Sequence, residues 1–389
     1  MEQKIFTKRF ISLFFTNMAV FFVFYGLVTT LPLYAMGVLG KSDDASGLLV
    51  TVFLLSAIFM RPFSGKLLDM FGKKRLLVVS IVFYLLSTVL YVFFKPYVLL
   101  LALRFFQGIW FSIATTAAGS LAVDIIPANR KGAGLGYFTM STNLAVVLGP
   151  FVGLLIVQYA NFDVLFIVLS VIVMIGALLA VTVQTNDLPK PAHVERNFKF
   201  GFHDLFEKKA LPLAALASLI AFAYASVLSF LSVYAEQQNL LAAASYFYAV
   251  FAAAMISIRP LTGKIYDTLG AKFVIIPSFV LFTIGLVILA NASNTWIFLI
   301  SAVFIGAGYG TLTTSFQSLC IQSTSPERTG YATATYFTLF DTGIALGSYV
   351  LGIIAVSLSY ATVYYLSAFL LVIVFVVYIL FFVRSKRMG

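Results

Sequence analysis

The chain has 389 residues, 61% of them hydrophobic and 10% charged, with 25 basic side chains against 14 acidic and a formal net charge of +11. A mean hydropathy of +1.03 is far above that of soluble domains, which excludes a soluble enzyme or binding module. A single cysteine, Cys320, excludes an intrachain disulfide and leaves thiol redox chemistry without a partner.

Apolar blocks occur at about 11–36, 46–66, 76–94, 97–123, 134–158 and 164–183, and again at 210–235, 245–263, 273–290, 296–321, 332–356 and 361–383. Each is close to the roughly 20 residues that cross about 30 Å of hydrocarbon, where no water can satisfy an unpaired backbone. All twelve are therefore predicted to be helices, and the alternating strands of a membrane β-barrel are absent. The expected fold class is an all-α membrane protein: a six-helix bundle over 1–183, a polar linker over 184–209 and a second six-helix bundle over 210–389. With the N-terminus in the cytoplasm, only Lys41 and Lys95 of the 25 basic residues fall in outside loops, which is the positive-inside bias. Both termini are then cytoplasmic. The positive charge is assigned to topology and anionic lipid headgroups, and no nucleic-acid partner is expected. The linker has the composition of a surface connector with one short amphipathic turn near 202–206. His193 and His203 lie in it without metal-binding spacing, so no metal and no other cofactor is expected. Cys320 is read as a small packing residue near the inner end of the tenth span.

The two halves repeat. Residues 61–74, RPFSGKLLDMFGKK, return as RPLTGKIYDTLGAK at 259–272, with seven identities in fourteen positions. Pro127, Arg130 and Tyr137-Phe138-Thr139 are echoed by Pro326, Arg328 and Tyr336-Phe337-Thr338, and Gly108 by Gly306. A parallel repeat in an apolar chain relates the halves by an axis along the membrane normal, as in secondary transporters. Within the motif, Gly65 permits close helix approach and Gly72 permits a turn. Asp69 is placed to face the positive N-terminal end of a neighbouring helix. Two further residues are expensive in hydrocarbon: Arg104 in the fourth span, and Asp341 about eight residues, roughly 12 Å, into the eleventh. Asp341 is the one acidic residue deep in a span, and Asn143 stands at the matching position of the fifth. Burial penalises a charged carboxylate, so Asp341 can serve either as a proton-loading group or as a polar helix–helix contact. Glu236, at the outer end of the seventh span, either caps that helix or shares in coupling. The spans contain no histidine and no paired acids, so an enzyme is not expected.

Gly65-Lys-Leu-Leu-Asp69-Met-Phe-Gly72-Lys73-Lys74-Arg75 resembles the signature loop of the major facilitator superfamily, and the resemblance covers the whole chain. It implies that this loop latches the cytoplasmic side, with Asp69, Asp124 and Arg130 in one charge cluster, and with Lys73 of the basic run and Asp267 of the repeated loop as further residues of the gate. The stretch around Arg104 is similar to the family's helix-4 motif, whose arginine is implicated in proton transfer; the alternative is Arg104 bonded to carbonyls of the first helix. Ala145-x-x-x-Gly149-Pro150-x-x-Gly153 resembles the family's antiporter motif, although alanine replaces the first glycine and Leu154 the last; small-residue packing is the other reading. In this fold spans 1, 4, 7 and 10 line a central cavity. The resemblance therefore nominates Asn17, Tyr25, Gln107, Trp110, Tyr224, Ser229, Tyr309, Thr313 and Gln317 as substrate-facing. Aromatic residues with few charges suit amphipathic or cationic organic compounds. The expected function is proton-coupled export of such compounds by alternating access, with import of a small metabolite as the alternative. The expected setting is a bacterial inner or plasma membrane, with a monomer acting on protons and a small-molecule substrate.

Overall fold

A computed structural model describes residues 5–41, 43–183 and 205–384. The part of the linker that carries His193 and His203 lies outside the described residues. The described residues form twelve long helices and no strand. They are α1 (Lys8–Gly37), α2 (Asp43–Phe71), α3 (Lys73–Phe93), α4 (Tyr97–Ile125), α5 (Lys131–Tyr159) and α6 (Phe162–Thr182), then α7 (Leu211–Gln237), α8 (Leu241–Leu269), α9 (Lys272–Ala290), α10 (Thr295–Gln322), α11 (Thr329–Ser357) and α12 (Tyr360–Tyr378). Eleven are long and apolar enough to cross a membrane; α8, which carries Arg259, Lys264 and Asp267, is not among them.

Polar side chains fix where several helices start. Thr7 accepts a hydrogen bond from the Phe10 amide, Asn161 from Val164, Asn294 from Ile297 and Ser359 from Thr362, each satisfying an N–H that the first turn leaves without a partner. The repeated motif is less of a loop than its sequence suggests. Residues from Gly65 to Phe71 continue α2, and Gly72 alone separates α2 from α3. Its φ of +87°, and that of +98° at Gly270 between α8 and α9, are the left-handed geometry that glycine adopts without strain. Pro62, Pro150 and Pro260 sit inside helices that run through them.

The chain divides into two compact units. The first comprises residues 1–127, 138–207 and 325–335; the second comprises 128–137, 208–324 and 336–389. The short starts of α5 and α11 thus belong to the unit built mainly from the opposite half of the sequence. In the first unit α2 and α3 pack on α4, and α1 and α3 pack on α6. In the second, α8 and α9 pack on α10, and α7 and α9 pack on α12, the same set of pairs six helices later. Phe59, Leu178 and Phe369 are among many large apolar side chains left exposed, as expected where hydrocarbon is the solvent.

Candidate functional site

Each copy of the motif meets a helix start. In the first unit, Asp69 accepts a hydrogen bond from the Tyr331 hydroxyl at 3.3 Å, in the first turn of α11. Lys73 pairs with Asp124 at 2.6 Å and donates to the Thr329 hydroxyl at 2.8 Å. Arg328 lies over the Tyr331 ring at 4.3 Å and pairs with the buried Glu207. The Glu207 amide also donates to Thr335 at 2.9 Å. In the second unit, Asp267 accepts from the backbone amide of Ala133 at 3.1 Å, in the first turn of α5. Asp267 therefore sits at the positive end of α5, where a carboxylate is favoured, while Asp69 reaches α11 through the Tyr331 side chain. The motif glycines let the backbones meet: a Cβ on Gly65 would stand 3.0 Å from the Tyr331 Cα, and one on Gly263 would stand 2.7 Å from the Ala133 Cα. Of the nominated gate residues Lys73 and Asp124 come together, a pair outside the expected cluster of Asp69, Asp124 and Arg130. Arg130 belongs to a 3-10 turn assigned to the second unit and takes no part in that pair.

Inside the first unit, Arg104 is fully buried. Its Nε donates to the Leu49 carbonyl of α2 at 3.1 Å, its Nη1 donates to Gln107 Oε1 at 2.9 Å, and its guanidinium lies 4.3 Å from the Phe53 ring centre. Gln107 also accepts from the Tyr91 hydroxyl at 3.0 Å and donates to Thr88 at 3.1 Å. The carbonyl partner is on α2, not on the first helix. Charge-assisted bonds in a low-dielectric interior are strong: those of Arg104 tie α4 to α2 and orient Gln107, which bonds α3. Trp110 stacks on Phe83 at 4.4 Å, on the side where Phe106 is exposed, away from Gln107's partners. Asn17 binds Ser141 at 2.8 Å and Thr142 at 3.1 Å, tying α1 to α5, and Tyr25 stacks on Phe21. On α5, a Cβ on Gly149 would lie 2.7 Å from the Phe22 carbonyl oxygen, and one on Gly153 would lie 3.1 Å from Thr30. The antiporter-like stretch is thus the surface by which α5 lies against α1, with Pro150 between its two glycines.

The second unit gathers the other nominated residues. Tyr224 of α7 and Tyr309 of α10 stack at 3.7 Å with their planes 11° apart, flanked by Phe251 and Phe282. The Tyr336 hydroxyl of α11 donates to the Thr313 carbonyl at 2.8 Å. Tyr336 lies within electrostatic reach of both Arg259 and Asp341. Asp341 is twelve residues into α11, about 18 Å along its axis, and is half-buried. Gln317 is buried on α10, while Ser229 is exposed and shares a hydrogen bond with Ser348 at 2.7 Å. Glu236 lies on α7, and its side chain is outside the described residues. Cys320 is buried on α10, its thiol 3.8 Å from the Ala210 carbonyl oxygen, as its reading as a packing residue requires.

Several participants were not nominated from sequence. Tyr331 and Thr329 carried no signal beyond lying at a helix start, and Glu207 looked like one more linker charge. Arg328 was visible only as the echo of Arg130. Tyr91 and Thr88 read as ordinary residues of an apolar span.

The sequence matches the family model of the Major Facilitator Superfamily over residues 13–338 and 260–388. An uncharacterized MFS-type transporter, MJ1560 of Methanocaldococcus jannaschii, is 25% identical over 381 residues, 96% of this chain and 97% of that protein. The quinolone resistance protein NorA of Staphylococcus aureus is 28% identical over 149 residues, a match that spans 38% of this chain and 37% of NorA. Among solved structures, the human organic anion transporter MFSD10 (TETRAN) superposes with a TM-score of 0.78 at 14% identity, over 95% of this chain and 98% of that one, a likeness of fold.

Proposed function

Because the chain belongs to the major facilitator superfamily, and so is a multi-pass membrane transporter, we propose that it exports small amphipathic or cationic organic compounds in exchange for protons. The observation that carries this reading is Asp341, a carboxyl midway along the apolar α11 and within reach of Tyr336. A proton gained or lost at that depth changes the charge inside the bundle and so biases the two states of an alternating-access cycle. The Tyr224–Tyr309 stack is buried between Phe251 and Phe282 as it stands; parted in the course of the cycle, its ring faces suit a planar or cationic substrate. The partial similarity to a quinolone resistance protein supports an organic substrate and the export direction. Arg104 acts in this reading as a positioning residue that ties α4 to α2 and, with Gln107, to α3, and the motif aspartates hold the motif ends closed until the cycle turns.

The experiment is transport of a fluorescent organic cation in everted vesicles and in proteoliposomes with an imposed pH gradient. The expected result is accumulation driven by the gradient in the export sense, with Asp341→Asn losing at least tenfold of the driven rate while still binding the probe. Full driven transport by Asp341→Asn would remove the coupling assignment, and movement in the opposite sense would make the protein an importer.

A further inference from the structure

The end of the linker is tied down. Glu207, the last residue of the first unit before the chain passes into the second, has only 7% of its side chain exposed, a costly place for a carboxylate without a partner. It pairs with Arg328, in the 3-10 turn Pro326–Arg328 that leads into α11, and its backbone amide donates to the Thr335 hydroxyl at 2.9 Å. Thr335 is itself the last residue of the first unit before α11 continues into the second. One residue thus joins two of the points at which the chain leaves the first unit. Arg328 also lies over the Tyr331 ring, whose hydroxyl donates to Asp69 of the first motif copy. Glu207, Arg328, Tyr331 and Asp69 form one chain of contacts from the linker to the motif, all within the first unit.

A connector that only spans two bundles needs no buried carboxylate, because it can run over the surface with its charges in water. Removing either member of a buried ion pair strands the other charge, so the Glu207–Arg328 pair resists parting far more than an exposed pair does. Any movement that takes residues 325–335 off the first motif copy must carry the linker end with it or break that pair. The step of 198 residues that relates the two motif copies carries Glu207 back to Arg9 and Arg328 back to Arg130, two like charges, so the sequence does not repeat the pair in the other half. We propose that Glu207 is a positioning residue of the transport cycle, which clamps the start of α11 against the first motif copy through Arg328 and Thr335, so that the motif is released only when the linker end lets go. The inference goes beyond the contacts of the motif itself and does not rest on the substrate, direction or proton coupling of transport.

The test reads how often the start of α11 lifts. Leu68 of α2 is 1% exposed and lies against Gly330, where an added Cβ would stand 3.6 Å from the Leu68 side chain. The full chain carrying Leu68→Cys on a Cys320→Ala background is placed in lipid nanodiscs, and its reaction with a hydrophilic maleimide is timed. Labelling through local opening tracks the population of the open form. Glu207→Gln is expected to speed that labelling roughly tenfold or more. Leu286→Cys, at a fully buried position of α9 in the second unit, is the control and is expected to stay slow with either residue at 207. A Leu68→Cys rate unmoved by Glu207→Gln would overturn the proposal. An equal acceleration at Leu286→Cys would overturn it too, since the pair would then hold up the whole fold and not the start of α11. Should Glu207→Gln not fold, Thr335→Val, which keeps the shape and removes the acceptor of the Glu207 amide, takes its place and is judged by the same outcomes.

Discussion

The packing of α4 against α2 and α3 and its counterpart, α10 against α8 and α9, are built on the same frame and filled with opposite chemistry at four matched positions. Moving 198 residues along the chain, from Arg61 to Arg259, carries Phe53 to Phe251, Gly65 to Gly263 and Gly108 to Gly306. A Cβ on Gly108 would run into the Phe53 carbonyl, and one on Gly306 would run into the Phe251 carbonyl. The same step carries Thr88, Tyr91, Arg104 and Gln107 to Leu286, Leu289, Ala302 and Ile305, all four fully buried. One copy places a charged hydrogen-bonded network at these four positions, and the other places only hydrocarbon side chains there. A bundle of this shape therefore does not need the network in order to fold. What the network adds is a fixed arrangement that cannot be loosened one group at a time, because each lost partner strands another in a dry interior.

The sharpest way to break the comparison is to convert one interface into the other. Arg104→Ala alone leaves the Leu49 carbonyl without its donor and opens a void, and is expected to cost roughly 3 kcal/mol of stability by unfolding in detergent. The fourfold change Thr88→Leu, Tyr91→Leu, Arg104→Ala, Gln107→Ile removes the partners together and is expected to cost less than the single change. If the fourfold variant proves the less stable of the two, the network is not replaceable by packing and the equivalence of the two frames fails. Its transport also separates the two roles of Arg104: driven transport survives the fourfold change if the residue only positions α4 on α2 and α3, and is lost if it handles protons.

The next largest effect compares the two motif glycines. Adding a methyl at Gly263 brings it within 2.7 Å of the Ala133 Cα, whereas at Gly65 the nearest atom, the Tyr331 Cα, is at 3.0 Å. Backbone atoms cannot swing aside, so Gly263→Ala is expected to destabilise by about 1–3 kcal/mol, with Gly65→Ala at the lower end of that range. Equal losses of thermal stability would show that both helix starts are free to shift.

Features that depend on short-range pattern were legible in the sequence: the apolar blocks, the repeat, the glycines at 65 and 72 and the packing role of Cys320. Asp69 was expected to face a helix N-terminus; its bond is to the Tyr331 hydroxyl in the first turn of α11, whereas Asp267 takes a backbone amide in the first turn of α5. What the sequence did not carry is helix rotation. A helix that is apolar all round offers no stripe from which to read its inward face. Gln107 and Trp110 lie three residues apart on α4 and looked alike as cavity candidates, yet one joins the Arg104 network and the other stacks on Phe83. Pairings between distant segments were invisible for a related reason. The contacts of Glu207 with Arg328 and of Asp69 with Tyr331 depend on which helix start each side chain meets, and local spacing says nothing of that.

Two ion pairs give the smallest effect, and it bears on the comparison because only one of them belongs to the motif. Lys95 pairs with Asp163 where both side chains are largely exposed, at 45% and 59%. Water competes for both groups and the long lysine chain loses freedom, so Lys95→Ala is expected to change stability by less than about 0.5 kcal/mol. Lys73 is less exposed, at 18%, and bonds Asp124 and Thr329 together, joining the end of α4 to the start of α11. Its removal leaves Asp124 without its ion-pair partner and breaks the link to Thr329, whose hydroxyl keeps Pro326 and Ser120, and Lys73→Ala is expected to cost about 1 kcal/mol. Raising the salt concentration should shrink what little Lys95 contributes, whereas the hydroxyl bond of Lys73 keeps part of its value. Equal, salt-sensitive losses in both variants would mean that the motif lysine is an ordinary surface charge, and the first motif copy would then be held at its helix start by Asp69 and Tyr331 alone.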